Sequence, residues 1–399
     1  MKEIKGNDIY LLRVKYGVTI DELAIKMGVS AQTINRWELS LEDPTPQQQV
    51  ALFNVFSQQG FTGKEDVSEP QSTEPKQKKK SPRRHSKGRF LNFISGYIGE
   101  GQAVLRFKDF FSDTFKKHKP GSFLSTKRIE DFDINNFEKP YMYFRVLIVL
   151  GLLFGLSFLT LKTNSTWSLF LITILGTIFL PLTFFVFMYE INVFRNIKLS
   201  TCIGILVLGG IGSIVLSWIF YGIINIDSPF AIIYYLGVGI IEETAKLLIA
   251  LYFIRKRRIT SILPAMLIGA SVGVGFSIFE SLMYAVNYFT ESGVQAMLEV
   301  VVIRSILAIG GHETWAAISA GAFIKVAKKR GYRANVLFNG EFLKYYAVPV
   351  ILHACWDTFS YYTVFAIIIV IGFTFLIAFL NAGLKEADDY SKAILYSEI

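Results

Sequence analysis

Two glutamates and a lysine lie close together inside an apolar stretch of the sequence. Glu242, Glu243 and Lys246 fall within residues 229–254, where the neighbouring side chains are those of a membrane-buried helix. An ionised group in hydrocarbon costs between about 2.5 and 17 kcal/mol, so these charges need partners or a function. On a helix, Lys246 reaches either carboxylate from the next turn. If Lys246 forms an ion pair with one glutamate, the other glutamate has no partner in this stretch. The stretch therefore predicts either a buried ion pair that fixes helix packing or a reactive acidic group.

Five further residues extend this pattern into the later apolar segments: Phe276, Glu280, His312, His353 and Asp357. Phe276 and Glu280 are four residues apart, as are His353 and Asp357, so each pair shares one helix face. At about 1.5 Å of rise per residue, we expect Glu243, His312 and Asp357 about 18 to 20 Å from the cytoplasmic ends of their helices. One intramembrane histidine alone would indicate a hydrogen bond between helices. Comparable depths on three helices, with Glu280 further out on a fourth, instead predict one shared site.

In their order along the chain these motifs resemble those of the PrsW family of membrane proteases. The matching motifs are Glu242-Glu243-Thr-Ala-Lys246 (EExxK), Phe276-Ser-Ile-Phe-Glu280 (FxxxE) and the later histidines. The family is related to the CAAX-prenyl-protease and bacteriocin-processing superfamily, whose corresponding motifs are EExxxR and FxxxH followed by a histidine. The resemblance covers residues 140–382 and departs from the prenyl proteases at Glu280. It implies a membrane peptidase, with membrane-anchored anti-sigma factors as the substrates of its better-known members.

The residue types indicate how a peptide bond could be hydrolysed here. A carboxylate in a low-dielectric site can act as a general base near neutral pH, and Glu242 or Glu243 is the candidate, with Lys246 orienting the other. We expect His312 to orient the attacking water or to protonate the leaving nitrogen. His353, held by Asp357, would stabilise the oxyanion, because preorganised donors act strongly in a dry site. The predicted catalytic set is Glu242, Glu243, Glu280, His312 and His353, supported by Lys246, Phe276 and Asp357.

Two alternatives stay open. Two histidines with carboxylates could bind zinc, although the sequence from His312 to Ala316 lacks the second histidine of an HExxH motif. We therefore favour hydrolysis without a metal or another cofactor. Buried charges also bind ligands or relay protons in membrane sensors and carriers, which are not enzymes.

The sequence predicts an all-α, polytopic membrane protein preceded by a small soluble domain. Of its 399 residues 52% are hydrophobic, and most of the charge precedes residue 141. Gly310-Gly311 indicates a break or an interfacial lead-in, because residues 294–326 are too long for one crossing. Apolar runs of about twenty residues, enough to cross hydrocarbon, predict about eight transmembrane helices, near 142–161, 167–189, 201–223, 230–254, 262–289, 304–325, 343–361 and 363–382.

The loop charges predict a cell-membrane protein with both termini in the cytoplasm. Lys and Arg are concentrated in alternate loops, near 191–200, 255–260 and 326–341. The loops between them, near 224–229 and 290–295, hold one acidic residue each and no basic residue. This alternation follows the positive-inside rule. The first thirty residues are polar and patterned like a soluble helix, so no signal peptide is expected.

The first sixty residues are patterned as a compact helical unit. Thr19 to Glu22 is a capping box that opens a helix, Gly28 ends it, and Ser30 caps a second helix that runs to about Glu38. The pattern LLRVKYGVTIDELAIKMGVSAQTINRWE resembles the Cro/repressor-like (Xre) helix-turn-helix domain. In that family the second helix enters the major groove, which implies DNA contacts by Gln32, Thr33, Asn35 and Arg36. Residues 1–60 contain six basic and seven acidic residues, so the unit is nearly neutral and would bind the DNA phosphates weakly. Docking to another protein is therefore the alternative.

The chain between the helical unit and the first apolar run is polar. Residues 61–89 predict a disordered linker, rich in Ser, Pro, Gln, Glu and Lys. Its last part carries eight Lys and Arg and no acid, which would allow contacts with phosphates or anionic lipid. Residues 90–140 form a juxtamembrane segment, in which 102–117 fit a surface helix. Residues 141–385 are the predicted protease domain, and 386–399 a cytoplasmic tail.

Overall fold

The computed structural model describes residues 9, 12–13, 16, 18, 20–38, 43–58, 105, 129–134, 139–163, 165–308, 310–331 and 334–397. Over these residues the secondary structure is helical, without a strand, which confirms the all-α prediction. The predicted linker lies outside the described residues, as does the predicted surface helix apart from Leu105.

In the described residues from 20 to 58 the chain forms three short helices: α1 (Ile20–Met27), α2 (Ala31–Glu38) and α3 (Pro46–Ser57). Gly28 ends α1 with a φ of 66°, a backbone conformation that suits glycine. The Ser30 hydroxyl accepts a hydrogen bond from the Thr33 backbone N–H at 3.1 Å, which caps α2. The predicted end of the first helix at Gly28 and the extent of the second from Ser30 to Glu38 are therefore confirmed, whereas Thr19 of the predicted capping box lies outside the described residues.

An apolar core holds these helices together, formed by Ile9, Leu12, Val18, Leu23, Ala24, Ile34, Trp37, Leu52 and Phe56. At its edge, Arg13 Nε donates to Glu38 Oε1 at 2.6 Å. The four residues expected to contact DNA all lie in α2, where the described side chains include Thr33 but not Gln32, Asn35 or Arg36. DNA binding therefore stays a prediction.

The apolar part of the chain forms a bundle of long helices. They are α4 (Met142–Ser157), α5 (Thr166–Ile191), α6 (Leu199–Ile223), α7 (Ala231–Lys256), α8 (Ile262–Leu307), α9 (His312–Arg330), α10 (Gly340–Thr358) and α11 (Tyr362–Ser397). Within the described residues, five stretches are long and apolar enough to cross a membrane: Met142–Thr163, Thr166–Ile191, Leu199–Ile223, Ile262–Arg330 and Tyr362–Ile394.

The predicted count of eight crossings differs from these five stretches for physical reasons. One stretch, Ile262–Arg330, is 69 residues long and contains both α8 and α9. The other two predicted crossings correspond to α7 and α10, which are 26 and 19 residues long. Helix α7 carries Glu242, Glu243 and Lys246 in its interior, and α10 carries Glu341 and Lys344 near its start and Asp357 near its end. Their lengths approach or exceed the roughly 30 Å of hydrocarbon at about 1.5 Å per residue. Eight crossings therefore stay a prediction.

The 46-residue helix α8 is broken at Gly293, where φ is 86° and ψ is −172°. Arg304 after the break contacts Glu280 and Ser281 before it, so the two halves fold back on each other. Ala285 and Met297 also share one apolar cluster. Residues 294–307 are thus the second arm of a helical hairpin, which places Arg304 beside Glu280.

A second break separates α8 from α9. Gly310 has a φ of 79°, and α9 begins at His312. The break indicated by Gly310-Gly311 is therefore confirmed, and the apolar run 304–325 is divided between the end of α8 and α9. The glycine pair produces a true break, and His312 becomes the first residue of a new helix.

The start of α4 is capped by a residue from another helix. The Glu190 carboxylate accepts hydrogen bonds from the backbone N–H groups of Tyr141, Met142 and Tyr143, at 3.3, 2.9 and 2.9 Å. The first N–H groups of a helix lack partners within it, and a negative charge is favourable there. A buried acid in α5 thereby fixes the position of α4.

Helices α6 and α8 approach each other at glycines. A Cβ atom added at Gly210 would lie 2.5 Å from the carbonyl carbon of Gly275, and one added at Gly275 would overlap the Leu206 carbonyl oxygen. We call this contact between Gly210 and Gly275 the glycine seam. The seam brings the backbones of α6 and α8 together five residues before Glu280. It therefore fixes the position of the Glu280 carboxylate along the axis of α6.

We expect Gly275→Ala to destabilise the bundle, because two backbones would have to move apart. Overpacking of this kind costs about 1–3 kcal/mol. The matched control is Gly222→Ala, since Gly222 lies in α6 with no neighbour within 4 Å of an added Cβ. The midpoint of thermal unfolding in detergent measures the effect. Equal midpoints for the two variants would contradict the close approach at the seam.

Candidate active site

The bundle brings the predicted site residues of four helices into one cluster: Glu242, Glu243, Lys246, Phe276, Glu280, His312, His353 and Asp357. Helix α7 supplies two carboxylates and an ammonium, and α8 an aromatic ring and a carboxylate. Helix α9 begins with one imidazole, and α10 carries the second imidazole and a further carboxylate.

Lys246 lies at the centre of the cluster, with its side chain 0% exposed. Its Nζ atom is 2.8 Å from Glu243 Oε1 and 3.7 Å from Glu242 Oε2. It also lies 2.8 Å from His312 Nδ1 and 4.1 Å from the centre of the Phe276 ring. The ammonium thus meets both carboxylates, and the aromatic face of Phe276 covers it by a cation–π contact.

Glu243 and His353 form the buried side of the site. The Glu243 side chain is 0% exposed, and its Oε1 lies 2.9 Å from His353 Nδ1. The other ring nitrogen of His353 lies 3.3 Å from Asp357 Oδ2 and 3.6 Å from Glu242 Oε2. Carboxylates therefore face both imidazole nitrogens, and the ring stacks against Trp315. This arrangement holds His353 in one orientation.

His312 connects the ammonium to Glu280. A lysine ammonium has only donors, so Lys246 donates to Nδ1 of His312. The opposite nitrogen, Nε2, then carries the proton and donates to Glu280 Oε2 at 3.0 Å. Because Phe276 and Trp315 lie at ring-centre distances of 5.0 and 5.3 Å, the imidazole has little freedom to turn. The contacts therefore select one tautomer of His312.

Arg304 belongs to the cluster but was not among the predicted residues. Its Nη2 donates to Glu280 Oε2 and its Nε to Ser281 Oγ, the latter at 3.0 Å. An arginine within an apolar run is itself a signal of function. Residue 304 is the first residue of the predicted crossing 304–325, so its place on a returning arm beside Glu280 was not expected.

Tyr221 is the second contributor that sequence reasoning missed. Its hydroxyl donates to Glu242 Oε1 at 3.0 Å, from the C-terminal end of α6. A tyrosine near the end of a membrane helix is ordinary, and no spacing relates it to the glutamates. The contact of Tyr221 with Glu242 becomes visible only once α6 is seen to pack against α7.

A cavity of about 650 Å³ opens beside the cluster. Of the predicted residues, four line it: Glu242, Glu280, His312 and Asp357. Glu243, Lys246, Phe276 and His353 lie behind this wall and do not line it. Both Arg304 and Tyr221 line the cavity, together with the aromatic side chains of Tyr234, Tyr235, Tyr284 and Trp356.

Three of these residues have the chemistry of a metal site. Glu242, His312 and His353 each offer a ligand atom, and these atoms lie within 4.8 Å of one another. Two imidazoles with one carboxylate form a zinc-type donor set. Glu242 Oε2 is buried without a hydrogen-bond partner, which fits a ligand to a cation. The donor types therefore fit zinc, although Lys246 and Glu280 already bond the two nitrogens of His312.

Residues 194–381 match a family model described as PrsW family intramembrane metalloprotease. This part of the chain is a PrsW-family intramembrane protease domain. The matched residues include all of α6 to α10 and every member of the cluster, whereas α4 and α5, which the predicted resemblance over 140–382 included, lie outside the match. No curated protein and no solved structure matches the chain.

Proposed function

We propose that this chain hydrolyses peptide bonds of membrane-anchored proteins by a glutamate-activated water, without a metal. The observation that carries the proposal is the position of Glu242. It lines the cavity, one of its oxygens is held by Tyr221, and the other is buried without a hydrogen-bond partner. Because that second oxygen is buried, the attacking water would bind the oxygen that Tyr221 holds, which has a second lone pair to accept a proton.

Glu242 is the better choice of the two glutamates for the base. Its side chain is 12% exposed, whereas Glu243 is 0% exposed and bonded to Lys246 and His353. A general base has to reach the proton that it removes, directly or through one water. Glu243 instead fixes the positions of Lys246 and His353 from behind.

His312 is suited to supply the proton that the leaving nitrogen needs. Its Nε2–H faces Glu280 at the cavity wall, and Lys246 donates to its other nitrogen. As Nε2 gives its proton to the nitrogen, Nδ1 takes one from Lys246. The proton that Glu242 removed from water then restores the ammonium, since Glu242 Oε2 lies 3.7 Å from Lys246 Nζ. This cycle returns every group to its starting state.

His353 fits a positioning role better than the predicted oxyanion role. Its ring lies behind the cavity wall, and both nitrogens face carboxylates. Asp357 reaches the cavity and holds His353 from that side. Together with Glu243 they would keep Glu242 and Lys246 in place during the reaction.

A zinc-assisted form of the same hydrolysis is the second candidate. The donor set of Glu242, His312 and His353 favours it, as does the description of the matching family. Those three residues would hold the ion, which would polarise the carbonyl group and acidify a bound water. We place it second because His312 bonds Lys246 and Glu280 through both of its nitrogens.

We propose further that the protein lies in the cell membrane with both termini in the cytoplasm, in contact with lipid. The helical unit α1–α3 would bind DNA through Gln32, Thr33, Asn35 and Arg36, and so couple proteolysis to transcription. The paired helices and the glycine turn between them support this proposal. Because the predicted linker is polar and the site lies among apolar helices, we expect the unit to stay attached.

We expect Glu242→Gln to lower proteolysis by about 10²- to 10⁴-fold, the usual contribution of a general base. The measurement is a quantitative comparison of new protein N-termini in membranes containing the wild type or the variant. Glu299→Gln is the matched control, because this carboxylate is exposed and bonds Gln295 outside the cluster. Proteolysis at the wild-type rate in Glu242→Gln would contradict the assignment of the base.

We expect cleavage to continue in a saturating, membrane-permeant zinc chelator, because the proposed base is a carboxylate. The zinc content of the purified protein, measured by mass spectrometry, gives a readout separate from activity. Loss of cleavage that zinc restores and magnesium does not, together with one zinc ion per chain, would establish the second candidate instead.

We expect deletion of residues 1–88 to leave proteolysis intact and to change which genes respond. The cleavage assay and a transcript profile of cells carrying the truncated protein test the two halves of this prediction. Loss of cleavage would make the N-terminal part a component of the enzyme. An unchanged transcript profile would remove the basis for the regulatory role.

A further inference from the structure

Arg304 brings a guanidinium group to the wall of the cavity. It lies on the returning arm 294–307, and its side chain is 24% exposed. Arginine stays protonated in proteins and offers five N–H donors in a planar fork. Neither an acid nor a base role suits such a group, whereas a developing negative charge does.

Three contacts fix the orientation of the guanidinium. Its Nε donates to Ser281 Oγ at 3.0 Å and its Nη2 donates to Glu280 Oε2. The central carbon lies 4.3 Å from the centre of the Tyr284 ring. Among the described residues, these contacts leave the Nη1 group without a protein acceptor. A donor group is therefore held rigidly and has hydrogen-bonding capacity to spare.

Arg304 and His312 meet at one oxygen atom. Both donate to Oε2 of Glu280, so the guanidinium and the imidazole flank the same carboxylate at the cavity wall. Glu242 lines the same cavity from α7. A peptide bond in the cavity would then have the base on one side and two positively polarised groups on another.

We propose that Arg304 is a catalytic residue whose Nη1 group donates to the carbonyl oxygen of the scissile peptide bond. The inference rests on the proposed function and supplies the oxyanion stabiliser that His353, behind the wall, does not provide. Preorganised donors of this kind act strongly in a dry site, because they need no reorientation as charge develops.

The proposed step balances. The water oxygen forms a bond to the carbonyl carbon while its proton passes to Glu242. The π electron pair of the carbonyl group moves onto oxygen, where Arg304 holds the negative charge. When the pair returns, the bond between carbon and nitrogen breaks, and the nitrogen receives its proton from His312. Arg304 neither gains nor loses a proton.

The kinetic test compares Arg304→Gln and Arg304→Lys with the wild type, on a single-span reporter that carries a cleavage sequence found in membranes. We expect kcat to fall about 10²- to 10³-fold in Arg304→Gln, as when one oxyanion donor is removed, with KM nearly unchanged. Arg304→Lys keeps a positive charge beside Glu280 and so preserves the fold. It lacks the second N–H group that would reach the carbonyl oxygen, so we expect its kcat to stay low as well. Arg257→Gln, at an exposed position, is the control.

A binding test separates transition-state stabilisation from a merely structural role. The two probes are the reporter sequence with a phosphinic group in place of the scissile amide, and the same peptide with an N-methylated amide. We expect Arg304→Gln to lose affinity for the phosphinic peptide in proportion to its loss of kcat/KM, and to bind the N-methylated peptide as the wild type does. Equal loss for both peptides would overturn the catalytic role.

The outcomes distinguish failure of this inference from failure of the proposed function. If Arg304→Gln keeps the wild-type preference for the phosphinic peptide, Arg304 does not touch the oxyanion, and the peptidase assignment stands. If the wild type neither cleaves the reporter nor prefers the phosphinic peptide, the peptidase assignment itself fails, and the role of Arg304 fails with it.

Discussion

The Lys246 ammonium lies 2.8 Å from Glu243 and 2.8 Å from His312, with its side chain 0% exposed. Removal of one partner from a buried ion pair commonly costs about 3–5 kcal/mol, because the other charge is left uncompensated. Through Glu243 the ammonium is connected to His353 on α10, and through His312 to α9 and Glu280. Four helices thus depend on one charge for their alignment.

The contacts divide the site into two layers with different tasks. Behind the cavity wall, Lys246 and His353 both bond Glu243, and all three side chains are closed to solvent. At the wall, Glu242 and His312 keep atoms that face the cavity. Reactive groups need support that fixes their orientation before substrate arrives. The buried layer provides this support, because Glu243 connects α7 to α10 through His353, and Lys246 connects α7 to α9 through His312.

Much of the cluster was predictable, since charged side chains are rare in apolar helices and spacings of three or four residues define a face. What the spacing could not decide is which of two adjacent glutamates faces the cavity, because neighbours on a helix point about 100° apart. The charge of Arg304 within an apolar run was visible, but its position beside Glu280 could not be predicted. Its place follows from the reversal at Gly293, a tertiary feature that hydropathy does not encode. The break before His312 was visible as a glycine pair, but not its consequence for the helix boundary.

The glycine seam also limits how a substrate can travel. At Gly210 and Gly275 the backbones of α6 and α8 touch, with no room for one added carbon atom. A polypeptide helix with its side chains is about 10–12 Å wide. A membrane-anchored chain cannot pass between α6 and α8 at this height without prising the two backbones apart. Under the proposed function, a membrane-anchored substrate would therefore reach Glu242 at another height or between a different pair of helices.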